Sequence, residues 1–129
     1  MTGSKAHSWK ILVLGREHEL AEKAEQYLHE MGYKNIKVII VENDKVNDDK
    51  LIEVLKSNDW DGVSIGGGIN GFDDRFPKEV TTLHWFNRLV NHVLEHAPNA
   101  KLILVAGTDD LIDSYERILG SLEKPIETI

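Results

Sequence analysis

Four short apolar runs, each followed by a segment whose apolar residues recur at helical spacing, constrain the fold of this chain more tightly than any other feature. The runs are Trp9–Leu14 (WKILVL), Ile36–Val41 (IKVIIV), Asp61–Ile65 (DGVSI) and Lys101–Ala106 (KLILVA). They show no sustained polar alternation, which is the pattern of strands buried on both faces of a parallel sheet. Between Glu17 and Met31, the residues Leu20, Ala24, Tyr27, Leu28 and Met31 lie on one helical stripe, and Gly32 follows as a left-handed terminator. Asn47 reads as the cap of a second helix, with Asp48 and Asp49 beside its positive end and Leu51, Ile52, Val54 and Leu55 on its apolar side.

The stretch from Gly66 to Thr82 reads as polar loop. Beyond it, Leu83, Phe86, Leu89, Val90, Val93, Leu94 and Ala97 fit a helix ending at Pro98, with His84, Arg88, Asn91, His92 and Glu95 on its wetter face. Thr108 reads as the cap of a last helix carrying Leu111, Ile112, Tyr115, Ile118 and Leu119 up to Gly120, and Leu122–Ile129 can add an edge strand or a half-turn. Right-handed crossovers turn such a series into an α/β fold, a three-layer, doubly wound parallel sheet of four to five strands with flavodoxin-like architecture. Ligands bind such sheets beyond the carboxyl ends of the strands, where strand order reverses. Gly15–His18, Glu42–Asp44, Gly66–Asp74 and Gly107–Asp110 are therefore expected around one rim.

With 129 residues, 41% hydrophobic and 29% charged, the chain can bury one core and fold independently. The expected organisation is a flexible leader over residues 1–8 and a single domain over 9–129. The leader is short and polar, so no signal peptide or transmembrane helix is drawn from it. Lys and Arg number 15 against 22 Asp and Glu, a formal charge of −7. That sign argues against general binding to nucleic-acid backbones or anionic membranes. The lack of cysteine excludes disulfides and thiolate chemistry and suits a reducing compartment, so the cytoplasm is the expected location.

Gly66, Gly68 and Gly71 spell G-x-G-x-x-G directly after a strand, where glycines let backbone N–H groups approach a phosphate or carboxylate. A dinucleotide fingerprint sits on the first strand and runs straight into a helix, whereas Phe72-Asp73-Asp74-Arg75-Phe76-Pro77 is a poor helix start. The competing explanation is a sharp turn needing positive φ. His92-Val93-Leu94-Glu95-His96 matches an inverted zinc-protease order, but it lies at the helix end away from the rim. Asp73, Asp74, Asp109 and Asp110 could approach one another around a hard cation, although acids in a helix's first turn need no metal to be favourable. No metal or cofactor is assigned on these grounds. Trp9, Trp60 and Trp85 are expected in the core, while Phe72 and Phe76 can line a pocket or a partner surface.

The order of elements, Glu17 after the first strand, Ala106-Gly107-Thr108-Asp109 leaving the fourth, and Lys124-Pro125-Ile126 after Gly120 together resemble a response-regulator receiver domain. The resemblance spans nearly the whole chain. It departs where receivers carry their chemistry: Gly15-Arg16 stands in place of the acidic pair, and Gly66 in place of the phosphoacceptor aspartate. What it implies is a receiver-like scaffold without aspartyl phosphotransfer. Gly68-Ile69-Asn70 and Pro98-Asn99-Ala100-Lys101 are similar to the oxyanion-loop region of SGNH hydrolases, yet Gly15-Arg16-Glu17 lacks the serine, and no histidine follows His96.

Two functional expectations follow. One is a non-catalytic binding or regulatory domain acting through a protein partner or a homodimer. The other is a site for a small anionic ligand or nucleotide at the rim, in a binding protein or an enzyme. Its residues would be Gly66, Gly67, Gly68, Asn70, Gly71 and the helix start at Thr108 and Asp109, with Arg16 and Arg75 supplying charge and His18 as an acid or base.

Overall fold

A computed structural model of the chain describes residues 8–120. Residues 1–7 of the leader, the Lys124-Pro125 step and the element expected over Leu122–Ile129 lie outside the described residues. Four strands, β1 (Ile11–Gly15), β2 (Ile36–Ile40), β3 (Gly62–Ile65) and β4 (Lys101–Leu104), form one parallel sheet in the order β2-β1-β3-β4. The helices are α1 (His18–Glu30), α2 (Lys45–Lys56), the single turn α3 (Gly67–Asn70), α4 (Val80–His96) and α5 (Leu111–Leu119), the last preceded by a 3-10 turn at Thr108–Asp110.

The alternation of β1 explains the three layers. Ile11 and Val13 pack with Ala24 and Leu28 of α1 and with Leu111, Tyr115 and Leu119 of α5. Leu12 and Leu14 point the other way, into Leu51 and Leu55 of α2 and Trp85, Leu89 and Val93 of α4. Each of these strand side chains is buried, and full burial of one such residue contributes about 1.5–3 kcal/mol. The architecture is thus the expected doubly wound, flavodoxin-like α/β fold. Trp9, Trp60 and Trp85 are all buried, as expected.

Several local expectations are corrected. The cap of α2 is Asp44, whose carboxylate accepts the Asn47 backbone N–H at 2.8 Å. Asn47 itself lies inside the first turn. Thr108 does not cap α5 through its side chain. Instead the Asp110 carboxylate reaches back to accept the Ala106 N–H at 3.0 Å, turning the chain out of the ladder so that β4 ends at Leu104. Helix α4 starts at Val80, a turn earlier than Leu83, and the supposed loop before it contains α3.

The apolar stripe of α4 is also rotated from its expected phase. Trp85 is 2% exposed, whereas Leu83 and Leu94 are 61% and 57% exposed. Its wetter face is partly occupied as well. Asp48 of α2, only 8% exposed, accepts Arg88 Nε at 2.5 Å and faces His92 Nε2 at 3.2 Å. Arg88 also donates to Asn43 Oδ1 at 2.7 Å, so a charged clamp joins α2 to α4. Burial opposes ionisation of Asp48, but the hydrogen bonds from Arg88 and His92 outweigh it and hold the carboxyl below its ordinary value.

Candidate functional site

Strand β1 pairs with β2 on one side and β3 on the other, so strand order reverses between β1 and β3. At their carboxyl ends lies a cleft of about 250 Å³ with Gly15, Arg16 and Glu17 on one wall, Gly66, Gly67 and Gly68 on another, and the Ala106–Asp109 turn opposite. Its aliphatic floor comes from Val13, Val38 and the first turns of α1. Of the residues expected at a site, Arg16, Gly66, Gly67, Gly68, Arg75, Thr108 and Asp109 line this cleft. Asn70 and Gly71 line an open groove on its far side, beside Phe72 and Leu104 of the β4 edge. His18 is exposed at the start of α1 and does not line the cleft.

The glycine run has a packing explanation that the sequence motif conceals. A Cβ on Gly67 would lie 2.4 Å from the carbonyl oxygen of Ala106, and one on Gly68 would lie 2.9 Å from the Phe76 ring. Only Gly71 of this run has the left-handed backbone expected of a sharp turn, at φ +92°, where it terminates α3. Gly66 is extended, with its N–H on the Leu14 carbonyl. The three glycines of the motif thus meet different demands, and the closest approach at Gly67 is to the chain's own backbone.

Asn70 is likewise committed to the scaffold. Its amide donates to the Ile65 carbonyl at 2.9 Å and the Val105 carbonyl at 3.0 Å, while its oxygen accepts the Phe72 N–H at 3.0 Å. It ties the tips of β3 and β4 together. Both N–H donors of the amide are used, which leaves none for the oxyanion of an ester hydrolase.

The two arginines at the cleft differ in electrostatic state. Arg75 is paired with Asp73 at 2.6 Å, and this hydrogen-bonded contact lowers the Asp73 carboxyl and raises the Arg75 guanidinium. Arg16 donates to the Gly68 carbonyl at 3.0 Å and lies 4.6 Å from the Phe76 ring centroid and 5.5 Å from that of Trp85. No carboxylate of the described residues lies within 4 Å of it. One guanidinium edge is therefore held by a neutral carbonyl and by cation–π contacts, and the remaining donors are uncommitted. Phe76, Glu17 and Asp73 complete the cleft. Each carried a sequence signal of a different kind: Phe76 as a loop aromatic, Glu17 in the resemblance to receivers, and Asp73 among the acids that could approach a cation.

The expected acidic cluster does not assemble: Asp73 pairs with Arg75 and Asp110 with the Ala106 N–H. Among the described residues no group of three or more His, Asp or Glu side chains could hold a metal ion. His92 is engaged by Asp48 and His96 by Glu95. No described helix is long and apolar enough to cross a membrane. No protein-family model matches the chain, and no curated protein matches it. Fold and cleft define a class, a flavodoxin-like doubly wound domain with an arginine at its switch point.

Proposed function

We propose that this protein is a non-catalytic binding domain on a receiver-like scaffold, and that its switch-point cleft takes a compact ligand carrying a carboxylate or phosphate. The observation that supports this reading is Arg16. Its charge stands where a receiver would carry acids, is oriented by the Gly68 carbonyl and the Phe76 ring, and lacks a carboxylate partner among the described residues. An anion at this edge gains a charge-assisted hydrogen bond, roughly twice as strong as a neutral one. The Thr108 turn at the start of α5 adds donors of the favourable sign.

Glu17 and Asp109 also line the cleft, which selects a ligand with one small anionic group over a polyanion. Size points the same way. About 250 Å³ lies below the range of roughly 300–1,000 Å³ usual for drug-sized ligands, so a dinucleotide would not fit inside.

Calorimetry and thermal shift with short carboxylates, inorganic phosphate, sugar phosphates and nucleoside monophosphates test the reading. Saturable binding that weakens at least tenfold in Arg16→Gln supports it, and equal binding by that variant overturns it. The non-catalytic element is tested with acetyl phosphate: a covalent phosphoryl adduct detected by intact mass would overturn that element.

A second reading, partner binding or homodimerisation, is favoured by a different observation. Leu83 and Leu94 of α4, Leu104 of β4 and Phe72 are all large, apolar and 46–70% exposed. Isolated exposed apolar residues are ordinary, but four on neighbouring elements suit an interaction face. Sedimentation of the wild type against Leu83→Glu/Leu94→Glu separates the cases. A dimer dissociated by the double variant supports self-association; a monomer at high concentration removes it.

A further inference from the structure

The switch-point cleft is chemically two-sided. Its rim carries Arg16 and Arg75 against Glu17, Asp73 and Asp109, two guanidinium groups to three carboxylates. The Arg16 guanidinium is fixed there by two groups of the cleft wall, the Gly68 carbonyl at 3.0 Å and the Phe76 ring, whose centroid is 4.6 Å away. The floor has no such chemistry. Val13, Val38, Leu20, Ala21, Ala24 and Leu111 line it, and none has a polar side-chain atom. Val13 and Gly15 share one face of β1. Gly15 carries no side chain to part the floor from the rim; a Cβ there would already lie 3.4 Å from that of Ala21.

Each side narrows the class of anion. A phosphate monoester carries about −1.5 to −2 at neutral pH, and three neighbouring carboxylates repel its second charge. A carboxylate brings a single charge and matches the planar fork of a guanidinium. A sugar would lay hydroxyl groups on the aliphatic floor, where side chains offer them no partner. A nucleobase would need a free aromatic face. Phe76 is the aromatic residue lining the cleft, and it already has the Arg16 and Arg75 guanidinium groups 4.6 and 5.9 Å from its centroid and Gly68 packed against it.

We infer that the ligand of this cleft is a short-chain aliphatic monocarboxylate, its head group at Arg16 and its alkyl chain over the floor of Val13 and Val38. The inference rests on the proposed anion-binding role of Arg16 and adds the chemistry of the rest of the ligand. The volume of about 250 Å³ suits a chain of a few carbons rather than a long-chain fatty acid.

Calorimetric titration of the full chain with acetate, propionate, butyrate and pentanoate tests it, with 4-hydroxybutyrate and inorganic phosphate as controls. Affinity should rise from acetate to butyrate by about fourfold per methylene, the equivalent of about 0.8 kcal/mol each. The compound 4-hydroxybutyrate places a hydroxyl where pentanoate has its terminal methyl, and it should bind about tenfold more weakly than pentanoate. Phosphate should likewise bind more weakly than butyrate. In Val38→Thr, similar in shape but polar, the butyrate-to-acetate affinity ratio should fall; should that variant fail to fold, Leu20→Gln gives the same comparison on the outer part of the floor.

The outcomes separate this inference from the reading beneath it. Acetate, butyrate and phosphate bound equally, and all weakened in Arg16→Gln, would overturn the aliphatic ligand and leave the Arg16 site standing. A butyrate-to-acetate ratio unchanged in the floor variant would do the same. Binding that Arg16→Gln leaves intact, or no binding of any acid, would overturn both.

Discussion

Replacing Asn70 tests whether the loop after β3 is scaffold or ligand contact. The side chain makes three hydrogen bonds to backbone groups, at 2.9, 3.0 and 3.0 Å, two of them part-buried. Asn70→Ala removes the side-chain donor from the Val105 carbonyl, leaves the Ile65 carbonyl with the Val105 N–H alone at 3.1 Å, and frees the Phe72 N–H to water. At about 0.5–1.5 kcal/mol per bond, with partial rescue by water at the rim, the loss comes to about 2 kcal/mol. Asn70→Asp keeps the shape but sets a carboxylate against two carbonyl oxygens, so it should cost more than alanine, on the order of 3 kcal/mol. For a domain of this length about 2 kcal/mol corresponds to a Tm drop of roughly 8 °C. Urea melts followed by tryptophan fluorescence give the free energies, with the m-value expected to stay constant. A change below about 0.5 kcal/mol in both variants, within the range of ordinary surface substitutions, would refute the structural role.

The glycines of the loop should rank by geometry rather than by motif position. Gly67→Ala drives a Cβ to 2.4 Å from a backbone oxygen and should destabilise by several kcal/mol or prevent folding, whereas Gly66→Ala meets nothing nearer than 3.6 Å and should be nearly neutral. Gly71→Ala, strained by its φ of +92° but sterically open, should fall between them at about 1 kcal/mol, all three being compared by urea midpoint. Asp48 should make stability depend on acid. Its folded pKa lies below the ordinary 3.8, so its contribution is present above that value and is lost as pH falls through the folded one. The midpoint difference between wild type and Asp48→Asn should therefore be largest near neutrality and shrink below about pH 4; a difference independent of pH would contradict the clamp.

The fold was legible because its strongest signal is local. Every residue from Ile11 to Leu14 is buried, so the apolar run needs no alternation to read as a central strand. Gly32, with φ 93°, ends the first helical turn pattern in the way its sequence position implies. The phase of α4 was less legible. Apolar residues cover more than half its circumference, and periodicity alone does not say that the sheet takes the side bearing Trp85 and leaves Leu83 and Leu94 in water. At the start of α2, Asp44 and Asn47 are both good caps three positions apart, and their mutual hydrogen bond decides between them only once the chain is folded.

The candidate site divides in the same way. Topology brought the loops after β1, β3 and β4 to one cleft, as the order of elements implies. The roles inside it depend on partners remote in sequence. Gly67 needs its missing Cβ because of Ala106, and Arg16 is set by a carbonyl at Gly68. Neither relation leaves a mark near the residue concerned, which is why a glycine pattern shaped by packing reads as a phosphate fingerprint.

The most direct test of the proposed switch-point site is a backbone 1H–15N titration of the full chain with acetate and inorganic phosphate. The account predicts saturable shifts confined to Arg16, Gly67, Gly68, Thr108 and Asp109, abolished in Arg16→Gln while the rest of the spectrum is retained. Shifts that do not saturate, that lie elsewhere, or that persist in Arg16→Gln would contradict it.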